Sequence, residues 1–357
     1  SPDSRRIAFL SNRSGSSQIW IMDADGSNPR QLTHLATEAA SHQFSRDGKT
    51  LVFTSEVYPE CSDDACNKSR LAAENASKVK ARIYTGLLYR HWNQWQGARR
   101  RHLLAVPAGG GAAKDLTPGS RDVPPFSLDG DDDFAISPDG AEVCYVMNQD
   151  PEPAISTNSD LFTAPIGGGE VKKLTANLGA DNAPLYSPDG RYLVYTRAAT
   201  VPAKWAFQSR IVLLDRRSGQ QRELPPTYDD QPALIGWTAD SARILFSEAK
   251  RTRTAIFAMP VDGPPQELFE PSRGVLNGPR LNRAATHLGF AHETPEMAAE
   301  AYAMPVGASA PVRVSTANTS LAKPEMPKTE VVRWKSKDGM EIEGVLTYPV
   351  GYESGRK

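Results

Sequence analysis

Short apolar runs separated by turn residues recur along this chain. The runs I-A-F, L-V-F, V-C-Y, L-V-Y and I-L-F carry β-branched or aromatic residues with strand-like alternation. Each run follows a phrase of the type S-P-D-G, in which Pro presets one dihedral, Asp bonds the local backbone and Gly accepts a positive φ. Copies begin at Ser1, Ser45, Ser137, Ser187 and Thr238, with a degenerate copy at Leu281. The pattern predicts two strands joined by a tight turn, several times over.

Each unit continues with another alternating strand, a Gly-rich turn and a short strand that ends in Leu-Thr or its like. The copies are about 45–50 residues apart, with one step of about 90. Four antiparallel strands in a unit of this length are typical of propeller blades. The predicted fold is therefore all-β, a β-propeller of four-stranded blades, with six visible and a seventh expected in the parent protein. The six units are about 1–33, 41–117, 129–175, 181–224, 232–269 and 275–315.

The first unit has no strand before its S-P-D turn, so the chain is expected to begin inside a blade and to be a fragment or a processed form. The second unit is interrupted at about 54–100 by an insertion with a helix-forming middle section and an aromatic end. A long insertion with so many aromatic residues is a candidate wall of a binding cavity. The alternative is that its aromatics pack the insertion onto its own blade. The candidate binding residues in it are Arg90, His91, Trp92 and Trp95.

Cysteine use bears on the compartment. Cys61 and Cys66 bracket a short polar loop, where a disulfide would fit an oxidising environment. The alternative is a pair of free thiols in a cytosolic protein. Cys144 replaces an apolar residue in a strand and is expected to be buried filler. A periplasmic or secreted location is therefore preferred, with the cytoplasm as the alternative.

Composition and motifs exclude several function classes. The net charge of −1 implies no nucleic-acid partner, and no apolar run is long enough to span a membrane. No G-x-S-x-G, Walker or G-x-G-x-x-G motif occurs, and the six histidines form no metal-binding spacing. We expect no catalytic residue, cofactor or metal site in this chain. The carboxylates of 131–133 and 229–230 are interpreted as solvated loop tips.

The repeat stops near Pro324, and a different pattern follows. Two alternating strands around Lys337-Asp338-Gly339 predict a hairpin that belongs to no blade. The predicted domains are a propeller at 1–320 and, at 321–357, a linker and the start of a second domain.

A propeller followed by S-x-D-G-x-x-I-x-G-x-L-x-x-P resembles the prolyl oligopeptidase family of serine peptidases. The Cys pair and the R-H-W-N-Q-W segment at 90–95 point to its dipeptidyl-peptidase-V and acylaminoacyl-peptidase branch. The resemblance implies that the hairpin opens a C-terminal α/β-hydrolase domain and that the propeller admits short peptide substrates. The family's triad would lie beyond Lys357. A homo-oligomer is left open.

Members of that branch often place acidic residues in the fourth blade, where they meet a substrate's free amine. The corresponding stretch here, 201–210, has two cations and no acid. This departure leaves room for blocked or acylated termini. Lys204, Trp205 and Arg210 are a second candidate wall of the substrate site.

Two other function classes compete with the peptidase. One is a TolB-like propeller that acts as a protein-interaction scaffold, which would not need a strand pair outside its blades. The other is a propeller lyase or glycosidase, which would need paired carboxylates or a histidine cluster facing the channel.

Overall fold

In the described residues, six antiparallel sheets of three or four strands follow one another along the chain, in addition to two two-stranded hairpins. The computed structural model describes residues 1–79, 81–126, 133–198, 208–318, 326–353 and 355. Five sheets have four strands, and the first has three in the described residues. The predicted fold class is confirmed: the chain is an all-β propeller with six blades. It divides into two compact units, Ser1–Phe207 with Leu214–Gln221, and Gln208–Leu213 with Arg222–Lys357.

The first unit holds the first three sheets and the first two strands of the fourth. The elements of its first two sheets are β1 (Arg6–Ser11), β2 (Gln18–Asp23), β3 (Arg30–Gln31), β4 (Ala40–Phe44), β5 (Thr50–Val57), α1 (Asp64–Ala76), β6 (Arg90–His91), β7 (Gln94–Trp95), β8 (Arg100–Pro107) and β9 (Lys114–Asp115). They are followed by β10 (Phe134–Ile136), β11 (Glu142–Met147), a short 3-10 helix (Pro153–Ile155), β12 (Asp160–Pro165), β13 (Lys172–Lys173), β14 (Asp181–Tyr186) and β15 (Tyr192–Ala198). The second sheet has the order β4-β5-β8-β9, so α1, β6 and β7 form an insertion between its middle strands.

The second unit holds the last two sheets and a separate hairpin. Two strands of the fourth sheet, β16 (Ser209–Asp215) and β17 (Gln221–Glu223), have residues in both units. The remaining strands are β18 (Ala233–Trp237), β19 (Arg243–Lys250), β20 (Arg253–Pro260), β21 (Gln266–Phe269), β22 (Val275–Leu281), β23 (His287–Thr294), β24 (Met297–Pro305), β25 (Val312–Arg313), β26 (Thr329–Lys335) and β27 (Glu341–Thr347). The last two pair only with each other, as the hairpin pattern predicts.

The S-P-D-G phrase builds the same hydrogen-bonded turn in successive blades. In the third blade, Ser137 Oγ donates to Asp139 Oδ1 at 2.6 Å and accepts from the Glu142 N–H at 3.1 Å. The same Asp139 oxygen accepts from the Ala141 N–H, and Gly140 takes a φ of 70°. These hydrogen bonds, that from Ser137 above all, lower the pKa of Asp139. The equivalent Ser or Thr to Asp bond is found at Ser45, Ser187 and Thr238.

The Leu-Thr ending has an equally local cause. In the second blade, the Leu116 N–H donates to the Leu103 carbonyl, and Thr117 Oγ1 accepts from the Leu103 N–H at 2.9 Å. The hydroxyl therefore satisfies a strand amide that the short last strand no longer pairs. Thr33 and Thr175 do the same for Ile19 and Leu161.

The cores of the first unit lie between neighbouring sheets. On β5, Leu51 and Phe53 are buried in the cluster shared with the first sheet, and Val52 is buried in the cluster shared with the third. Both faces of the strand are thus covered, which explains its continuous apolar run. In the second unit, Leu245 and Ile256 of the fifth sheet pack with Leu288 of the sixth in the same manner.

Candidate functional site

The insertion between β5 and β8 begins with an anchored helix. Asp63 Oδ1 caps α1 by accepting from the Cys66 N–H at 2.8 Å, and Cys66 is joined to Cys61 by a disulfide. The buried Asn67 side chain accepts from the Tyr58 N–H at 2.9 Å, which ties the helix to the end of β5. Burial, and then the neighbouring Glu74 carboxylate, raise the pKa of Tyr58 to about 12. The start of the insertion is therefore fixed to its blade.

The aromatic end of the insertion packs on itself. Tyr84, Tyr89 and Trp95, here called the aromatic cluster, have ring centroids 5.2–6.1 Å apart. The guanidinium groups of Arg82 and Arg90 lie 5.7 and 5.5 Å from the centroid of the Trp95 ring. Trp95 is nevertheless 48% exposed. About half of the Trp95 side chain is therefore open to solvent and can contact another molecule.

Trp92 occupies the tip of the two-residue hairpin between β6 and β7. Its φ is 50°, a left-handed conformation that hairpins of this length usually give to glycine, asparagine or aspartate. The side chain is 75% exposed. An exposed tryptophan in this conformation costs backbone energy without contributing to a core, and such positions are enriched at functional sites. His91, next to it, faces the Phe126 ring edge-on at 6.3 Å.

A polar pocket of about 320 Å³ opens at the base of this hairpin. The name polar pocket is given to this cavity, which the following residues define. Three connecting segments form it: the insertion, the link from β9 to β10, and the link from β11 to β12. The lining residues that carry side-chain charge or an amide are Gln96, Arg100, Arg121, Asp122, Asn148 and Glu152. Its volume is at the lower end of the range of about 300–1,000 Å³ common for small-molecule sites.

Asp122 joins two of these walls. Its Oδ2 accepts from Gln96 Nε2 at 2.6 Å, and its Oδ1 accepts from the Arg101 N–H at 2.9 Å. Burial raises the pKa of this carboxyl, because removal from water disfavours the charged form. The contact ties the β6–β7 hairpin to the link that follows β9. Asp122 therefore positions the pocket walls relative to each other.

A buried histidine holds the same link at its start. His102, on β8, has Nδ1 2.6 Å from Asp115 Oδ2 and Nε2 2.9 Å from the Gly119 carbonyl. Both ring nitrogens thus face acceptors, and the ring is 1% exposed. Sequence reasoning noted only that this histidine belongs to no metal-binding motif. Its observed role is to fix the segment that leads to Arg121.

The second predicted wall is only partly within the described residues. Lys204 and Trp205 lie outside them. Arg210 forms an ion pair with Asp230 in the second unit, and the Ser209 N–H donates to the Asp230 carbonyl. The local sequence offered no acid for this arginine, but the next connection supplies one. The interpretation of Asp230 as a solvated loop tip is therefore wrong, and Arg210 is engaged within the protein.

The structure brings together four of the seven predicted binding residues, namely those of the insertion. Arg90 and Trp95 are in contact through the aromatic cluster, while His91 and Trp92 lie at the adjoining hairpin. Sequence reasoning missed Gln96, Arg121 and Asp122. Gln96 directly follows β7 in the insertion, and the segment of the other two residues, S-R-D-V-P-P-F, looks like an ordinary link between blades. The signal that could have found this segment is an arginine and an aspartate next to each other, shortly after the Leu-Thr ending.

Neither a metal-binding cluster nor a membrane-spanning helix occurs in the described ranges. No group of three or more His, Cys, Asp or Glu side chains there is arranged to hold a metal ion. Of the helices found in that part of the chain, none has the length and apolar character needed to cross a bilayer.

Comparison with known proteins connects the fold to peptidases. No protein-family model matches the chain. A dipeptidyl-peptidase 5 of Porphyromonas endodontalis is 31% identical over 199 residues, which are 54% of this chain and 28% of that protein. The dipeptidyl-peptidase 5 of Porphyromonas gingivalis is 26% identical over 264 residues, 71% of this chain and 37% of that protein. The chain thus spans about a third of the length of these curated relatives.

A solved structure covers the whole chain. Pyrococcus horikoshii acylaminoacyl peptidase, 15% identical, matches 100% of this chain and 50% of its own, with a TM-score of 0.68. At this identity the likeness shows the fold alone. Together with the sequence relatives, it confirms the resemblance to the propeller portion of prolyl oligopeptidase-family peptidases.

Proposed function

We propose that this chain, as the propeller portion of a prolyl oligopeptidase-family peptidase, admits short peptides and grips them for a hydrolase domain. The reaction is the release of dipeptides or acyl-amino acids by a serine nucleophile outside this chain. The observation that carries the proposal is the polar pocket beside an exposed aromatic insertion, in a chain whose relatives are dipeptidyl-peptidases. The interaction-scaffold alternative has no comparable observation in its favour.

The pocket and insertion offer what a peptide needs. Gln96 Nε2 donates to Asp122, which leaves its amide oxygen to accept from a peptide N–H. Asn148 Nδ2 donates to the Ser156 carbonyl and keeps a second N–H for a ligand, and Arg121 supplies a guanidinium. Trp92 and Trp95 supply exposed aromatic surface, and residues of this type commonly dominate binding energy. This combination favours a short, extended ligand with at least one apolar side chain.

The chemistry itself is assigned to the absent nucleophile. A serine activated by histidine and aspartate attacks the scissile carbonyl and forms an acyl-enzyme, which water then hydrolyses. Groups on the propeller act at a distance from this step. These groups accelerate the acyl-transfer step only if the binding energy they provide stabilises the transition state. They can do so by placing the scissile carbonyl correctly.

The test uses two forms of the protein. The 357-residue chain alone should hydrolyse neither dipeptidyl nor acyl-aminoacyl chromogenic substrates. In a longer polypeptide that includes the hydrolase domain, Arg90→Ala and Trp92→Ala should each lower kcat/KM by about tenfold or more. Turnover by the chain alone that an organophosphate abolishes would overturn the proposal.

Trp92→Gly is the discriminating variant. Glycine relieves the positive φ, so the melting temperature should stay level or rise while kcat/KM falls. If Trp92 were a packing residue, the opposite would be seen: a lower melting temperature and normal kinetics. Normal kinetics in all three variants would show that the insertion takes no part in recognition.

A further inference from the structure

Arg121 lines the polar pocket and has no partner among the residues that the structure describes. Its side chain is partly buried and lines the pocket from the link that follows β9. Within the part of the chain that the structure describes, it makes no hydrogen bond and no ion pair. A guanidinium presents five N–H donors in a fixed fork, and it is most often found opposite a carboxylate or phosphate.

Two other charged residues of the pocket, Arg100 and Asp122, already form hydrogen bonds within the protein. Arg100 Nη1 donates to the carbonyls of Gly97 and Arg99, at 2.9 and 2.7 Å. Asp122 is occupied by Gln96 and by the Arg101 amide. Neither neutralises Arg121. Among the described residues, Arg121 is therefore the pocket guanidinium with all of its donors available to a ligand, whereas the Nη1 donors of Arg100 are already used.

Glu152 indicates which class of anionic ligand the pocket prefers. It lies on the wall formed by the link from β11 to β12, and its side chain is exposed. A dianion such as phosphate would pair with Arg121 but would also meet the charge of Glu152. A single carboxylate balances Arg121 with less repulsion. Gln96 and Asn148 can then bond the amides on either side of it.

We propose that Arg121 binds a carboxylate of a short peptide in the polar pocket. The inference rests on the proposed function, because that function makes peptides the ligand class. It goes further in naming the charge that the site prefers. The carboxylate can come from an acidic side chain or from the C-terminus of the peptide.

Three capped tripeptides separate these sources in calorimetric titrations of the 357-residue chain at low salt. Acetyl-Ala-Glu-Ala-amide carries only a side-chain carboxylate, and acetyl-Ala-Gln-Ala with a free C-terminus carries only the terminal one. Acetyl-Ala-Gln-Ala-amide is neutral. We expect at least one charged peptide to bind about tenfold more tightly than the neutral one. Inorganic phosphate is the fourth ligand and should bind more weakly than the preferred peptide.

Variants assign the effect to Arg121. Arg121→Gln should abolish the difference between charged and neutral peptides, and Arg121→Lys should retain part of it because a point charge lacks the fork. Arg100→Gln is the matched control, since it removes an equal charge from the same pocket and should preserve most of the difference. Thermal melts of all three check that they are folded.

The outcomes are decisive. Equal affinity for charged and neutral peptides, an unchanged preference in Arg121→Gln, tighter binding of phosphate, or no binding of any peptide would each overturn the inference. The proposed function is judged separately by the Arg90 and Trp92 kinetics. A peptidase that depends on Trp92 but shows no carboxylate preference would keep the function and lose this inference.

Discussion

At the scale of single residues, hydrogen-bond chemistry explains the repeat better than apolarity does. Each Asp of the blade phrase accepts from a hydroxyl and from a backbone amide, so it fixes the turn that joins two strands. The same bonds occur at Ser336 and Asp338, where the Met340 N–H donates to Asp338 Oδ1 at 3.1 Å. The sequence pattern suggested that the blade phrase is absent from the terminal hairpin. Its S-K-D-G nevertheless folds into the same turn, because Pro is dispensable there.

Asp139 gives the residue-scale prediction. Its pKa lies below the value of 3.8 for a free side chain, so its ionised form stabilises the fold above that pH. This contribution is lost as the pH falls through the folded-state pKa. Asp139→Ala should cost about 1 kcal/mol of unfolding free energy at pH 7 and less at pH 3. Urea melts at the two pH values measure it.

The control for this prediction is Asp139→Asn, which keeps the accepting oxygen but does not titrate. Its stability difference from Asp139→Ala should be nearly independent of pH. A wild-type advantage over Asp139→Ala that is equal at pH 7 and pH 3 would contradict the role given to the ionised carboxylate.

At the scale of elements, an ion pair and a hydrogen bond hold the β26–β27 hairpin to the blades of the second unit. The Glu343 side chain, 2% exposed, accepts from Arg333 Nε at 2.7 Å and from Arg251 Nη1 at 3.2 Å. Arg251 lies in the turn between β19 and β20. Arg273 makes a second contact by donating to Thr329 Oγ1, at the first residue of the hairpin, at 3.0 Å. Between the two contacts lies a cavity of about 580 Å³ with a mainly apolar lining.

We predict that Glu343→Gln loosens the hairpin without unfolding the blades. The Arg333 guanidinium, above all, lowers the pKa of Glu343, so the contact is complete above the pKa of a free glutamate and is lost as the pH falls through the lowered value. Hydrogen exchange of the amides in β26 and β27 at pH 7 should become faster in the variant. Exchange in β19 and β23 should stay as in the wild type.

Glu341→Gln is the matched control for the hairpin. Its side chain is 52% exposed and lies 3.7 Å from Arg251, a separation at which a surface pair contributes little. Exchange rates should therefore change little. Equal effects of the two substitutions would show that buried pairing at Glu343 is not what holds the hairpin.

At the scale of the whole molecule, the disulfide bears on the cellular compartment in which the protein resides. Cys61 and Cys66 close the loop that precedes α1, at the base of the aromatic insertion. Disulfides persist in oxidising compartments, so we propose that this protein is periplasmic or secreted. The bond lies at the start of the insertion that also contains the predicted binding residues.

The prediction is that non-reducing peptide mapping of protein recovered from its native host finds Cys61 and Cys66 linked. Buried Cys144, whose pKa burial raises well above that of a free thiol, should react with alkylating reagents only after denaturation. Cys61→Ser with Cys66→Ser should increase protease cleavage within 58–79 and leave the blades intact. Two freely alkylated thiols in host-derived protein would contradict the location.

The sequence by itself determined the blades and the terminal hairpin. Turn phrases, alternating strands and the Leu-Thr ending all act through bonds between residues close in the chain, so a linear pattern is enough to recognise them. The insertion was also recognisable, as an interruption of the repeat. Its aromatic density directed attention to 90–95, but it did not indicate the way in which Tyr84, Tyr89 and Trp95 pack on each other.

Only the tertiary structure decided which charges are paired and which are available. Arg210 looked free because its acid, Asp230, lies in the next connection, where the buried Glu248 carboxylate holds the loop by accepting from the Gln231 N–H at 2.7 Å. Arg121 looked unremarkable because the walls of its pocket come from three separate connections. Ion pairs and pockets depend on distances between segments far apart in sequence. Loops set those distances, and no periodic pattern records them.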